Sequence, residues 1–310
     1  MPILTRRRLG VLAAAMPVAG RAAPLPGMPG GACDCHVHII GPPERFPMVA
    51  GRSYTPPQST LAGLRALHER LGITRTVLIQ PSFYGTDNRA MLEALAALRG
   101  TARAIAVLPP DAGDAELTRL DGLGVRGVRV NIESSGSRDP RGVTRDLAGF
   151  ARRVKHLGWH IQIYAALSVI ARIAPEVAGL PVPVVFDHFG MPDAALGPDQ
   201  PGFGTLLDMV KSGQAYVKLS APYRISRLPG FADAAPIARA LIAAGPERML
   251  WASDWPHTDH APGAGPNDIS PFRMVDDPGV LDLLAGWCPD EGARRVILAD
   301  TPQRLYRFPA

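Results

Sequence analysis

The chain has 310 residues, 46% of them hydrophobic, and a formal net charge of +5. Arg6, Arg7, Arg8 and Arg21 all fall within the first 23 residues, and setting these four aside leaves 29 of the 33 bases against 28 acids. So neutral a remainder, without a dense basic stripe, gives nucleic acid or an anionic membrane nothing to hold. Its apolar content suffices for two domains or one large α/β barrel.

The first segment reads "MPILTRRRLGVLAAAMPVAGRAAPLPG". Its apolar run, Leu9 to Ala19, is shorter than the roughly 20 residues that span a bilayer. It reads as an export signal, and "TRRRLG" resembles a twin-arginine signal, with cleavage after Ala22 or Ala23. The alternative is a disordered tail. The export reading predicts a periplasmic protein, transient contact with the twin-arginine machinery, no stable membrane insertion, and a single domain over residues 24–310.

Short apolar runs then alternate with helical patterns. "ACDCHVHI" (32–39) precedes a helix over about 61–71, and "TVLIQ" (76–80) precedes 88–98. "ARAIAVL" (102–108) precedes 114–123, where Asp114 is the expected N-cap. "VRGVRVN" (125–131) leads to a helix near 144–157, "HIQIYA" (160–165) to 168–178, and "PVVFDH" (183–188) to 203–212. "AYVKLS" (215–220) leads to 231–243, and "RMLWASD" (248–254) to 277–285 and 290–299. Continuous apolar strands of this kind belong to a parallel sheet covered on both faces. About eight such units predict one (β/α)8 TIM-type barrel. A doubly wound sheet is the runner-up, but no Gly-rich nucleotide turn follows the first strand. Cys33, Cys35 and Cys288 are too few for a disulfide scaffold and are expected as small buried hydrophobes.

In such a barrel, reactive groups project from the C-terminal strand ends. His36 and His38 end the first strand and Ser82 follows the second. Arg129 and Asn131 end the fourth, Tyr164 the fifth, Asp187 and His188 the sixth; Arg224 follows the seventh and Asp254 ends the eighth. Residues two apart on a strand share a face, so His36 and His38 both point into the mouth. An isolated H-x-H is weak. Joined by His188 and Asp254 it makes a donor set of imidazoles and carboxylate that suits zinc or another divalent ion.

The stretches "DCHVHIIGP", "GTDN", "GVRGVRVN", "FDHFGMPD" and "SDWPH", closing with "TPQRLYRF", resemble the amidohydrolase superfamily, and within it the lactonase branch. The resemblance runs from about residue 30 to the end and implies a barrel that hydrolyses a lactone. It implies Asp254 as the general base, with His36, His38 and His188 polarising the carbonyl directly or through a metal. Tyr164, Tyr54 and Ser82 would contact the substrate, and Arg129 and Arg224 would pair with its carboxylates. The branch contains metal-dependent and metal-independent members, so both remain open. Members acting on a dicarboxylate carry a second arginine after the fourth strand; here "RVNIESSG" places Glu133, Ser134 and Ser135 there.

Lactone hydrolysis by direct water attack is the expected activity, there being no G-x-S-x-G nucleophile elbow. A metal-dependent decarboxylase is the alternative, and a periplasmic carboxylate-binding protein a third reading. Pro/Gly-rich loops, such as 40–58 and 256–276, are expected to set specificity. His257 stands between second layer and surface, while His68, His156, His160 and His260 read as ordinary polar positions.

Overall fold

The structure, a computed structural model, describes residues 27–132 and 140–309. The expected signal and the Glu133, Ser134, Ser135 departure lie outside the described residues.

Eight strands form one parallel sheet in chain order. They are β1 (Cys33–Val37), β2 (Arg75–Ile79), β3 (Ala102–Ala106), β4 (Val125–Asn131), β5 (His160–Tyr164), β6 (Val184–Phe186), β7 (Ala215–Ser220) and β8 (Met249–Ala252). The ring closes just beyond β8, where His38 N donates to Trp255 O at 2.9 Å and Asp254 N donates to His36 O at 3.1 Å. The seam of the barrel therefore runs through the expected site.

Helices α1 (Leu61–Leu71), α2 (Arg89–Ala97), α3 (Asp114–Leu123), α4 (Pro140–Val154), α5 (Leu167–Ala178), α6 (Phe203–Lys211), α7 (Ala234–Ala244) and α8 (Asp277–Trp287) cover the outside. The short α9 (Glu291–Arg295) and α10 (Thr301–Tyr306) follow. Helix α1 shows why these segments fold as they do. Thr60 caps it by accepting from Gly63 N, Leu64, Leu67 and Leu71 line its buried face, and Gly72 ends it at φ 73°. In α3 the N-cap is Gly113, not Asp114; Asp114 is instead the first helical residue, where its carboxylate still faces the positive end of the helix dipole.

The two faces of each strand separate cleanly. Val37, Leu78, Val128, Ile161, Phe186, Val217 and Trp251 pack outward with the helices, while Cys33, Cys35, Ile79, Ile105, Val185, Tyr216 and Leu250 fill the interior. Strict alternation along β1 would put the cysteines and histidines on opposite faces. A register shift resolves this: Asp34 pairs with Thr76 and Val37 with Leu78, so β1 holds one residue more than β2 over the same span. The bulge lets Cys35 and His36 both face inward. Asp34 turns outward, accepting from Ser253 N at 3.0 Å and Ser253 Oγ at 2.5 Å, with His68 Nε2 at 3.2 Å. All three cysteines are buried free thiols.

The C-terminal segment plugs the floor. Arg103 donates to Tyr306 O at 3.2 Å and to Arg307 O at 2.8 Å, and its guanidinium lies 4.7 Å from the centre of the Phe308 ring. With the floor closed, the described residues leave the barrel open at its C-terminal end.

Candidate active site

A cavity of about 340 Å³ occupies that end. Eight of the nine residues picked from the sequence line it: His38, Tyr54, Ser82, Arg129, Tyr164, His188, Arg224 and Asp254. The ninth, His36, is fully buried beneath its floor.

Each imidazole is fixed through Nδ1. His38 Nδ1 is 2.8 Å from Ile79 O, which can only accept, so the proton is on Nδ1 and Nε2 is a lone pair. His188 Nδ1 is 2.9 Å from Ser220 Oγ, and His36 Nδ1 is 3.2 Å from Lys218 Nζ. The free edges converge, with His36 Nε2 3.3 Å from His38 Nε2. Burial, reinforced by Arg129, lowers His38 to about 4. Burial likewise lowers His188 to about 4, against the pull of Asp254. His36 falls well below its ordinary value through burial and then Lys218. At neutral pH all three are neutral rings.

Asp254 stands at the end of β8 with its two oxygens in different surroundings. Oδ2 accepts from Arg224 Nε at 2.9 Å, Arg224 Nη2 at 2.7 Å and Tyr223 Oη at 2.8 Å. Oδ1 is buried without a hydrogen-bond partner. It faces His36 Nε2 at 3.6 Å and His188 Nε2 at 3.8 Å. Burial would raise this carboxyl, but Arg224 and then the imidazoles outweigh it and hold the group well below the usual carboxylate range. Asp254 is thus an ionised acceptor with one oxygen committed and one open.

Both arginines are engaged by the protein itself. Arg224 holds Asp254, and Arg129 donates to Gln80 O at 3.1 Å and approaches Asp187 Oδ2 at 3.4 Å. Asp187, which burial would raise, is kept well below its ordinary range by Lys218 first and then His36. At the mouth and in the layer beneath it, Asp187 and Asp254 are met by Arg129, Lys218 and Arg224.

The backbone is unusual here. His188, Phe189, Met191, Ala221, Asp254 and His257 all have φ between 49° and 65°, a region costly for residues with a Cβ. Each such residue costs on the order of 1–3 kcal/mol, and clusters of them mark functional sites.

Residues the sequence did not flag complete the site. Lys218 and Gln162 sit one layer below, where Gln162 donates to Asp187 at 3.1 Å; both read as ordinary strand residues in an apolar run. Tyr223 bridges Asp254 to His257 Nδ1 at 3.2 Å, and His257 Nε2 is 3.0 Å from Asp277 Oδ1. His257 therefore lies behind Asp254, not at the surface. Ser53, Thr258, Asp259 and His260 line the cavity from loops, where sequence carries no periodicity to place them. His68 and His160 lie outside it, as expected of structural positions.

The spacing of the donor atoms fits a divalent ion. Two imidazole nitrogens on one tetrahedral ion at about 2.0–2.1 Å stand roughly 3.3–3.4 Å apart, and His36 and His38 present theirs at 3.3 Å. His36, His38 and Asp254 form one group whose ligand atoms lie within 4.8 Å of one another, and His36, Asp187 and His188 form a second. The Nδ1 partners of His38 and His188 are those that orient metal-bound imidazoles.

Comparison with known proteins agrees with this geometry. Residues 33–308 match the amidohydrolase family. The chain is 35% identical to 2-pyrone-4,6-dicarboxylate hydrolase of Comamonas testosteroni over 293 residues, covering 90% of this chain and 91% of that one. It is 36% identical to 4-sulfomuconolactone hydrolase of Rhizobium radiobacter, covering 92% and 93%. The crystal structure of a probable 2-pyrone-4,6-dicarboxylic acid hydrolase from Acinetobacter baumannii, with citric acid bound, superposes with a TM-score of 0.78 at 26% identity, covering 90% and 100%. The eight-stranded barrel, the convergence of His36, His38, His188 and Asp254 at its mouth, and the near-full-length matches together place this chain in the amidohydrolase family.

Proposed function

We propose that the protein hydrolyses a small carboxylated lactone by direct attack of water. The observation that carries this reading is the open oxygen of Asp254, ionised, buried and aimed at two imidazoles beneath a cavity of substrate size. Water held against Oδ1 loses a proton to it as the new C–O bond forms. The carbonyl oxygen, gaining charge, takes a donor from His188, which lines the cavity. His38 has no such part while neutral, because its Nε2 is a lone pair; it accepts, and so fixes His36. Collapse expels the ring alkoxide, which takes the proton back from Asp254, and the acid formed ionises. A divalent ion held by His36, His38 and Asp254, with His188 alongside, would supply Lewis-acid polarisation of the carbonyl and a more acidic water.

Tyr54, Ser82 and Tyr164 line the cavity at positions to contact the rest of the substrate. The remaining N–H groups of Arg129 and Arg224 would receive a carboxylate of the substrate. A panel of lactones bearing none, one or two carboxylates tests this, assayed before and after chelation with metal content measured. Hydrolysis of the carboxylated members, and not of the uncharged one, is the expected result. Bound metal together with decarboxylation and no ring opening would replace the reading with the decarboxylase.

We also propose that residues 1–23 direct export to the periplasm, resting on the arginine-led apolar segment alone. Fractionation of cells and N-terminal sequencing of the product test it; a full-length chain retained in the cytoplasm would exclude it.

A further inference from the structure

Lys218 is fully buried on β7, in the layer beneath the mouth, and neither the water attack nor the binding of a carboxylate requires it. Its Nζ lies 3.2 Å from His36 Nδ1 and 3.2 Å from Asp187 Oδ1, while Asp187 Oδ1 lies 3.3 Å from the same Nδ1. A cation and a carboxylate thus flank one ring nitrogen with opposite demands. The ammonium gives Nδ1 a hydrogen bond; the carboxylate asks one of it. A neutral imidazole has a single N–H and satisfies only one of them.

Three observations decide between them. The Nζ to Nδ1 contact has hydrogen-bond geometry, whereas Asp187 Oδ1 has no hydrogen-bond partner despite its proximity. Asp187 is also held without His36, by Gln162 at 3.1 Å and Arg129 at 3.4 Å. Finally, the proton that Nδ1 gives up belongs on Nε2, which faces the lone pair of His38 Nε2 at 3.3 Å. Lys218, His36, His38 and Ile79 O then form one run in which every donor meets an acceptor. With the other tautomer, two lone pairs would oppose each other across that 3.3 Å unless a cation lay between them.

We propose that Lys218 is a positioning residue that holds His36 with its proton on Nε2, bonded to His38, so that the cluster resists a divalent cation. A cation bound by His36 Nε2 needs the lone pair there and the proton on Nδ1, where it would face the N–H groups of Lys218. The inference deepens the proposed function, because it assigns the proton of the imidazole that lies beneath the reacting group. Its tests use no lactone, so its failure and the failure of the lactonase reading are separate events.

Two measurements test it. In the first, metal-free wild type and Lys218→Met are dialysed against buffered zinc and bound zinc is counted. Lys218→Met should bind one equivalent at least ten-fold more tightly, its His36 now free to turn the Nδ1 proton to Asp187. Unchanged or weaker zinc affinity in the folded variant overturns the proposal. In the second, which needs no folded variant at position 218, the ring nitrogens of metal-free wild type are observed by 15N NMR, with His36 assigned by the signals lost in His36→Gln. Nε2 should carry the proton and Nδ1 none. A protonated Nδ1 overturns the proposal.

Discussion

The two ends of the barrel both bury histidine, and they treat it differently. At the mouth, His36, His38 and His188 each have a polar partner at Nδ1; His36 and His188 turn Nε2 toward an unpartnered carboxylate oxygen, and His38 turns its own toward His36. At the floor, His160 is equally buried, but neither of its ring nitrogens has a partner. It packs edge-on against Tyr306 at 5.4 Å, and its Nε2 would stand only 3.0 Å from a Cβ at Gly127. Burial lowers His160 to about 3, further than the values of about 4 at His38 and His188. Depth of burial and size of shift therefore do not identify a reactive histidine. Orientation does: at the mouth one edge of the ring is held and the other is presented.

The sharpest way to break this contrast is to remove the open oxygen. Asp254→Asn keeps the shape and two polar atoms but takes away the ionised acceptor. Loss of a positioned general base costs about 10²–10⁴-fold in rate. We expect kcat for a carboxylated lactone to fall by about 10³-fold or more with KM little changed. Loss confined to KM would make Asp254 a binding group and return the base to another residue.

At the floor, His160→Leu should leave kcat unchanged and alter stability instead. Folded His160 stays neutral down to about pH 3, whereas unfolded histidine titrates near its ordinary value of about 6.5. Between those values the unfolded chain binds more protons, so stability is fully present above pH 6.5 and declines as pH falls through the window. From pH 6.5 to 5 the decline attributable to His160 is about 2 kcal/mol, at about 1.4 kcal/mol per pH unit. The mouth histidines add a slope of the same sign in both proteins, so the difference between wild type and variant isolates the floor. Urea unfolding at the two pH values measures it. Equal pH slopes would show that His160 is not held neutral.

The same contrast governs what could be read in the sequence. Strand and helix order was legible because the apolar runs are long and evenly spaced, and α1, α3, β4 and β7 fall where the pattern put them. Polar residues at strand ends were legible because the barrel's geometry gives those positions one destination. The bulge at Cys35 and His36 was not, since one extra residue leaves no mark in a run where every side chain is buried. Lys218 was missed for a related reason: within "AYVKLS" a lysine reads as an edge or surface charge, and only Asp187 from the neighbouring strand explains its burial. Asp114 shows the limit at helix ends, where Gly113 takes the cap one residue earlier.

The smallest of these effects concerns what stands behind the mouth. Tyr223 donates to the committed oxygen of Asp254 and meets His257, which Asp277 holds from the start of α8. Tyr223→Phe deletes one of three hydrogen bonds on Oδ2 while Arg224 keeps two. Such outer contacts orient a reactive group without touching the substrate, and their loss costs about 10-fold or more at comparable sites. We expect kcat to fall by about 10-fold with KM unchanged. His257→Gln should give a similar but smaller loss, because it acts on Asp254 only through the tyrosine. In the double variant the two losses should not add, since once the hydroxyl is gone His257 has nothing to orient. Additive losses would mean that the His257 side chain reaches the site by a path other than the tyrosine.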